Sequence, residues 1–286
     1  MSVERTVGTV RVIALLDGVR DIGPIEESYP GAPVDGLLAY RDRYPELYGD
    51  GDSWRLHIHV WLIEHPGGVI LFDTGVGPPT APAFAWFGEG GRLASELSAA
   101  GFEPGDVDVV VVSHVHDDHI GGTATSGGDP AFPSARYLLQ RADWDWQREL
   151  ARESEEDRTI WETLLAPLER AGVVDLVDGD HRLAPGVEAR HSPGHTPGHQ
   201  VVLVSSDDAR VLITADSFNH PAQLAHPDWS AASDADPEAA AGRRRWILAD
   251  LAEHAGTIVA PTHFAESFGT IEAGADGLPG WTPLGR

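Results

Sequence analysis

"VVVVSHVHDDHIGG", residues 109–122, is the stretch from which the fold can be read. Four consecutive valines, Val109 to Val112, form a β-branched apolar run that suits a strand. Directly behind it, three imidazoles and two carboxylates occupy the six positions from His114 to His119, and Gly121-Gly122 then turns the chain away. Other apolar runs end in the same manner: GVEARHSPG runs into His195, VLITA into Asp216 and TIVAPT into His263. Side chains at the carboxyl ends of neighbouring strands converge on one rim, where open α/β folds carry their sites. Four strands therefore deliver His114, His116, Asp118, His119, His195, Asp216 and His263 to one edge as candidate ligands.

Electrostatics asks for a cation among them. Two carboxylates about 4 Å apart repel by roughly 4 kcal/mol at an effective dielectric near 20, and imidazoles gathered without a partner gain little by converging. A divalent ion reverses both effects. The chain has no cysteine, so nitrogen and oxygen must supply every bond. Zinc leads on such a donor set, with iron or manganese also allowed. Seven donors exceed the needs of one tetrahedral ion and suit two divalent metal ions sharing a carboxylate.

Composition removes other chemistry. With 42% hydrophobic and 23% charged residues among 286, the chain can bury a large core without covalent staples. The expected plan is a single domain over residues 1–286, built of two similar halves with a boundary near 170–185. All 20 basic residues are arginine, which excludes lysine Schiff bases and lysine general bases. A formal charge of −25 at pH 7 opposes binding to phosphate backbones, so nucleic acid is not an expected partner. The opening MSVERTVGTVRVIALLDG has no basic segment followed by an apolar stretch and cleavage site, and no run approaches a membrane span. A soluble, cytoplasmic protein without a membrane partner is expected, and a homodimer is allowed.

Strand candidates are Val10 to Leu16, Val60 to Ile63, Val69 to Phe72, Val109 to Val112, Ala135 to Leu139, Val187 to Ala189, Val201 to Val204, Val211 to Thr214 and Thr257 to Ala260. Helices are suggested at Gly91 to Ala100, Ala142 to Glu153, Thr159 to Ala171 and Pro237 to His254. SDADPEAAAG, residues 233–242, reads as the start of the last of these, with Asp234 or Asp236 as cap and Pro237 in the first turn. Strands come in runs as well as alternating with helices, which favours an α/β (α+β) architecture with helices outside sheets.

HVHDDH matches the HxHxDH signature of the metallo-β-lactamase superfamily, and SPGHTPGH, TADSF and PTHF follow in that family's order, after LFDTG at Asp73. The chain resembles this family from about residue 55 to 265. The resemblance implies a four-layer αββα sandwich with metals in a cleft at the sheet edges. It places one metal on His114, His116 and His195, the other on Asp118, His119 and His263, and Asp216 between them, with Asp73 as a buried structural acid behind the ligands. In that pattern His195 rather than His199 is the ligand. His57 and His59 lie at period two on a strand with no following carboxylate and read as packing residues or as supports behind the ligands. Asp117, at the variable position of the signature, has no ligand role, although an outward-facing acid there could contact substrate.

Neither a G-x-S-x-G elbow nor a thiol is present, so chemistry is expected from the metals. A water shared by two divalent ions has its pKa lowered from 15.7 toward about 7, and one ion polarises the carbonyl or phosphoryl oxygen under attack; metal-assisted hydrolysis by a bridging hydroxide is expected, with a lactone or carboxylic ester as the leading substrate. Asp118 could orient that hydroxide and pass a proton to the leaving group. The pattern is closest to the acyl-homoserine lactonase and methyl parathion hydrolase-like branch, where a tyrosine often follows the bridging aspartate. Here Asp216 is followed by Ser217, Phe218, Asn219 and His220, and His220 is the candidate for carbonyl contact. Phe84, Trp86 and Phe87 in GPPTAPAFAWFGEGG, with Phe218, Phe264 and Phe268 after the ligands, are candidates for an apolar substrate pocket. The substrate expected is a small, uncharged, partly hydrophobic molecule. The alternatives are a glyoxalase II-like thioesterase, an organophosphate triesterase and, in another class, an iron-dependent oxidoreductase of the persulfide dioxygenase type.

Overall fold

The computed structural model, which describes residues 3–207, 209–274 and 277–285, contains two mixed seven-stranded sheets. The first is built in spatial order from β1 (Val3–Val7), β2 (Val10–Pro24), β3 (Ser53–His65), β4 (Gly68–Phe72), β5 (Val109–Val111), β6 (Arg136–Gln140) and β7 (Val174–Val177). The second runs through β8 (His181–Ala184), β9 (Val187–His191), β10 (Gln200–Ser205), β11 (Arg210–Ala215), β12 (Ile258–Pro261), β13 (Gly269–Ala273) and β14 (Pro279–Pro283), again in chain order. Parallel pairing is confined to β4–β5, β5–β6, β6–β7 and β11–β12. A parallel pair needs a crossover, and helices lie in these connections: Leu93–Ala99, Asp117–Ile120, Arg141–Glu153 with the turns that follow it to Ala171, and Pro237–Glu253.

Period-two alternation along the strands sets the layers. In β2, Val12 and Ala14 face the second sheet, while Ile13 and Leu15 face the outer helices; in β3, Trp61 and Ile63 turn inward and Val60 and Leu62 outward. The second sheet mirrors this, with Val202, Val204, Val211 and Ile213 in the layer between sheets and Val201, Leu203 and Leu212 packed against Ile247 and Leu251 of the helix Pro237–Glu253. Helix, sheet, sheet and helix therefore stack as an αββα sandwich, held by an apolar layer between the sheets and one on each outer face.

Several elements differ from expectation. The strand expected over Val10 to Leu16 runs on to Pro24 as β2, by register shifts after Leu16, where Asp17 and Gly18 break the apolar pattern, and after Asp21. The helix expected over Thr159 to Ala171 begins at Glu155, behind a Ser154 cap that accepts from the Asp157 amide, and widens into a π turn at Trp161–Leu165 before Pro167. The segment between β2 and β3 holds short helices at Ile25–Ser28 and Val34–Leu38. No described helix is long and apolar enough to cross a membrane.

Candidate metal centre

β5 ends at Val111, and the chain passes Ser113 before the short helix Asp117–Ile120, so the signature histidines fold back over the strand end. His114 Nε2 and His195 Nε2 each lie 3.0 Å from His116 Nδ1, one on either side. In a tetrahedral site with Zn–N near 2.0–2.1 Å, neighbouring nitrogens stand about 3.3–3.4 Å apart; both contacts are only a little shorter than that. Burial, and then the neighbouring imidazoles, hold His114 and His116 well below the usual histidine range. Both are therefore neutral at ordinary pH, with lone pairs free to bind a cation.

A second group forms beside the first. Asp118 Oδ2 lies 3.6 Å from His119 Nε2 and 3.7 Å from His263 Nε2. Asp216 stands between the groups, with Oδ1 3.1 Å from His119 Nε2 and Oδ2 3.1 Å from His263 Nε2 and 3.4 Å from His195 Nε2. Burial opposes charge on His119 and His263, but the surrounding carboxylates, Asp216 foremost, lift His119 well above the usual range and His263 above it. Burial likewise opposes ionisation of Asp216, yet His263 and His119 hold its carboxyl well below the usual range. The acids thus draw positive charge into the cluster. His119 Nε2 and Asp216 Oδ1 are buried and have no hydrogen-bond partner despite their proximity. Leaving such atoms unmatched costs about 1–3 kcal/mol each, and a cation between them would satisfy both. The all-nitrogen-and-oxygen donor set fits a divalent metal, with ligand atoms in three overlapping groups within 4.8 Å.

The side chains behind these groups fix their orientation. Asp73 accepts from the Ser113 amide and hydroxyl at 2.7 Å each and from His119 Nδ1 at 2.8 Å, which leaves His119 Nε2 as the free nitrogen. Asp73 has φ +69 and Ala215, just before Asp216, has φ +42; they are the only non-glycine residues with positive φ among those described. Both mark strand ends that carry an acid into the site, and such backbone costs about 1–3 kcal/mol apiece. His263 Nδ1 donates to the His57 carbonyl at 2.8 Å, and His59 Nδ1 lies 3.0 Å from the Thr262 carbonyl. His57 and His59 thus brace the second sheet without joining a ligand group. His199 does the same for Asp216, whose amide donates to its Nε2 at 3.1 Å. Asp73→Ala is expected to lower zinc affinity about 10–100-fold by freeing His119, as measured by chelator competition; parent affinity would refute the role.

At the two groups opens a cavity of about 380 Å³ whose lining includes the polar His116, Asp117, Asp118, Asp216, Asn219 and His263 and the largely apolar Ile22, Pro24, Trp54, Leu56 and Trp86. Trp86 donates through Nε1 to Asp117 at 3.0 Å, and burial with the adjacent Asp118 pushes the Asp117 carboxyl up to about 6.

Of the six aromatic residues expected in the pocket, Trp86 alone lines this cavity. Phe84 is exposed and lies outside the lining. Phe87, Phe218, Phe264 and Phe268 are buried in the core: Phe87 under Gly18, Phe218 in the outer apolar layer of the second sheet, Phe264 against Trp281 at 5.1 Å and Phe268 against Trp61 at 5.2 Å. Adjacency to a ligand in sequence does not set side-chain direction, and each ring turns away to fill the core. His220 is also corrected as a carbonyl contact. It is fully buried among Tyr29, Tyr40 and Tyr48, its Nδ1 accepts from the Ala222 amide at 3.1 Å, and burial lowers it to about 3.

Other residues were missed by sequence reasoning. Asn219 donates through Nδ2 to Asp216 Oδ2 at 2.8 Å and lines the cavity. Asp234, a cap candidate in the sequence, instead accepts from His195 Nδ1 at 2.8 Å, while Asp236 caps the helix by accepting from the Ala239 amide. Only the second acid in that pair fits the spacing from cap to third helical residue, a signal that could have freed Asp234 for another role.

The family model for the metallo-beta-lactamase superfamily matches residues 54–263. An N-acyl homoserine lactonase of Bacillus cereus is 32% identical over 200 residues, covering 65% of this chain and 73% of that protein. One from a Bacillus species is 32% identical over 181 residues, covering 58% of this chain and 66% of its own length, so the chain spans about two thirds of that relative. Among solved structures, AidC, a dizinc quorum-quenching lactonase with a bound product, aligns with TM-score 0.81 at 22% identity over 100% of this chain and 98% of that one. The hydrolase AbOPH aligns with TM-score 0.85 at 20% identity, again over 100% and 98%. These structural likenesses show a shared fold. With all five motifs folded onto one rim and the family model spanning them, the chain belongs to the metallo-β-lactamase superfamily.

Proposed function

We propose that the protein is a hydrolase with two divalent metal ions, zinc foremost, that opens lactones or cleaves carboxylic esters. The observation that carries this reading is Asp216, whose carboxylate reaches both groups: Oδ2 lies 3.4 Å from His195 Nε2 of the first and 3.1 Å from His263 Nε2 of the second, with His119 Nε2, also of the second, 3.1 Å from Oδ1. One ion is assigned to His114, His116 and His195, the other to Asp118, His119 and His263, with Asp216 shared. When bound, such ions supply a nucleophile at neutral pH and charge stabilisation for the attacked carbonyl. The names of the Bacillus relatives support the lactone.

The chain's own residues do the rest. Asp118 is buried except at its tip, which reaches the cavity, so it can hold a water by hydrogen bond and carry its proton to the departing alkoxide. The new carbon–oxygen bond comes from water, the ester bond breaks, and acid and alcohol leave as one molecule from a lactone or two from an ester. Ile22, Trp54, Leu56 and Trp86 provide the apolar wall for an acyl or aryl group. Glu27 and Asp117 at the same cavity disfavour anionic substrates, so the neutral lactone or ester is preferred over a phosphate-rich one.

The test is a panel of acyl-homoserine lactones, simple lactones, aryl esters, paraoxon-like triesters, nitrocefin and S-lactoylglutathione on zinc-loaded protein. Lactones or aryl esters are expected to show the highest kcat/KM, by at least about 10-fold, or roughly 1.4 kcal/mol. Turnover confined to S-lactoylglutathione, or oxygen consumption by iron-loaded protein with a persulfide, would overturn the proposal.

A further inference from the structure

Arg244 is the only buried arginine among the described residues. It projects from the helix Pro237–Glu253 toward the segment before that helix. Its Nε donates to the Pro227 carbonyl at 2.7 Å, Nη2 to Ser230 Oγ at 2.9 Å and Nη1 to Asp234 Oδ2 at 3.3 Å. Asp234 Oδ2 also accepts from the Ala231 amide at 3.0 Å, and its other oxygen accepts from His195 Nδ1 at 2.8 Å. The backbone ties the same pieces, with the Ala235 amide donating to the His195 carbonyl at 2.8 Å and the Asp236 amide to the Gly194 carbonyl at 2.9 Å.

A buried guanidinium is costly, and breaking its pair leaves the partner charge uncompensated. Here a single cation holds one carboxylate behind His195 and pins the segment whose Ala231, Ala232 and Ser233 wall the cavity. A fork of three donors suits this task as a lysine would not.

We propose that Arg244 is a positioning residue for one half of the metal centre: through Asp234 it aims His195 Nε2 and keeps the imidazole a strong donor, while fixing the adjoining cavity wall. This rests on the assignment of His195, with His114 and His116, to one of two ions. Carboxylates hydrogen-bonded to a ligating histidine act in this way, and losing them costs about 10–100-fold in metal affinity.

The experiment measures both zinc affinities by chelator competition, the visible spectrum of cobalt-substituted protein and the melting temperature, for the parent, R244M, R244K, D234N and H195A. In R244M one zinc equivalent is expected to weaken about 10–100-fold and the other to stay within threefold, with a changed cobalt spectrum; R244K restores part of the loss. If R244M does not fold, D234N carries the test, since it removes the anion at constant shape and is expected to weaken the same equivalent. Parent affinities and an unchanged spectrum in a folded R244M, or in D234N, whatever the melting temperature, would overturn the relay. H195A separates the two levels: if it keeps both zinc equivalents at parent affinity, the ligand assignment itself fails.

Discussion

Asp216→Ala is expected to lower kcat/KM by at least about 10³-fold, some 4 kcal/mol of transition-state stabilisation, and to remove most of the bound metal. The carboxylate is the shared element of the two groups, 3.1 Å from His119 and His263 of one and 3.4 Å from His195 of the other. On the proposed two-metal reading, its loss would leave two cations facing each other with no anion between, and their repulsion would expel at least one. The fold should survive, because the strand end is fixed by backbone: the Asp216 amide rests on His199, and Ala215 pairs with Pro261 of β12. His116→Ala is expected to act in the same direction, since His116 Nδ1 lies 3.0 Å from two other ligand nitrogens. Elemental analysis, circular dichroism and turnover of the best substrate in the panel together check this. Full activity in either variant with metal stripped would remove the basis for the site.

Gly121→Ala is expected to cost about 3 kcal/mol or more and, at roughly 2–4 °C per kcal/mol for a chain of this size, to lower the melting temperature by about 6–12 °C. A Cβ at Gly121 would sit 2.0 Å from the Val76 carbonyl oxygen and 2.7 Å from that of Asp117. These are backbone atoms and cannot rotate aside. Gly77 meets the same crossing from the other side, with φ +79 and a Cβ position 2.0 Å from the Gly121 oxygen. The Thr74 amide and hydroxyl both donate to the His119 carbonyl, at 2.7 and 3.0 Å, so the two segments cannot part without moving His119 and Asp118. Lower zinc affinity should therefore accompany the lower melting point. Gly105→Ala, where a Cβ meets nothing within 4 Å, is the control and should change stability by less than about 0.5 kcal/mol. A Gly121→Ala protein that melts with the parent would refute the crossing.

The central strands were legible because they are apolar on both faces: Val109 to Val111, Val201 to Val204 and Val211 to Ile213 need no context to be recognised. β1, β7, β8, β13 and β14 were not. His181, Arg182, Thr270, Glu272, Pro279 and Gly280 carry no apolar run, and only pairing with a neighbour makes strands of them. That the seven candidate donors come together could be read from strand ends, because motif spacing determines where a backbone arrives. Which way Phe218 or Phe268 points could not be read, since that depends on what the core has room for. Asp234 and Arg244 stayed hidden for a related reason: ten positions apart, they meet only when the preceding loop curls back over its own helix.

Four of the seven donors, His114, His116, Asp118 and His119, lie in the chain between β5 and β6 of one sheet, whereas His195, Asp216 and His263 stand at the strand ends of the other. Any ion bound there is a rivet through the seam of the sandwich. Its affinity is then partly a measure of how well the seam is closed: at 100 times its dissociation constant it adds about 2.7 kcal/mol to the folded state. A substitution between the sheets, far from any ligand, such as one at Trp61 or Val204, should consequently surface first as looser metal rather than as altered chemistry.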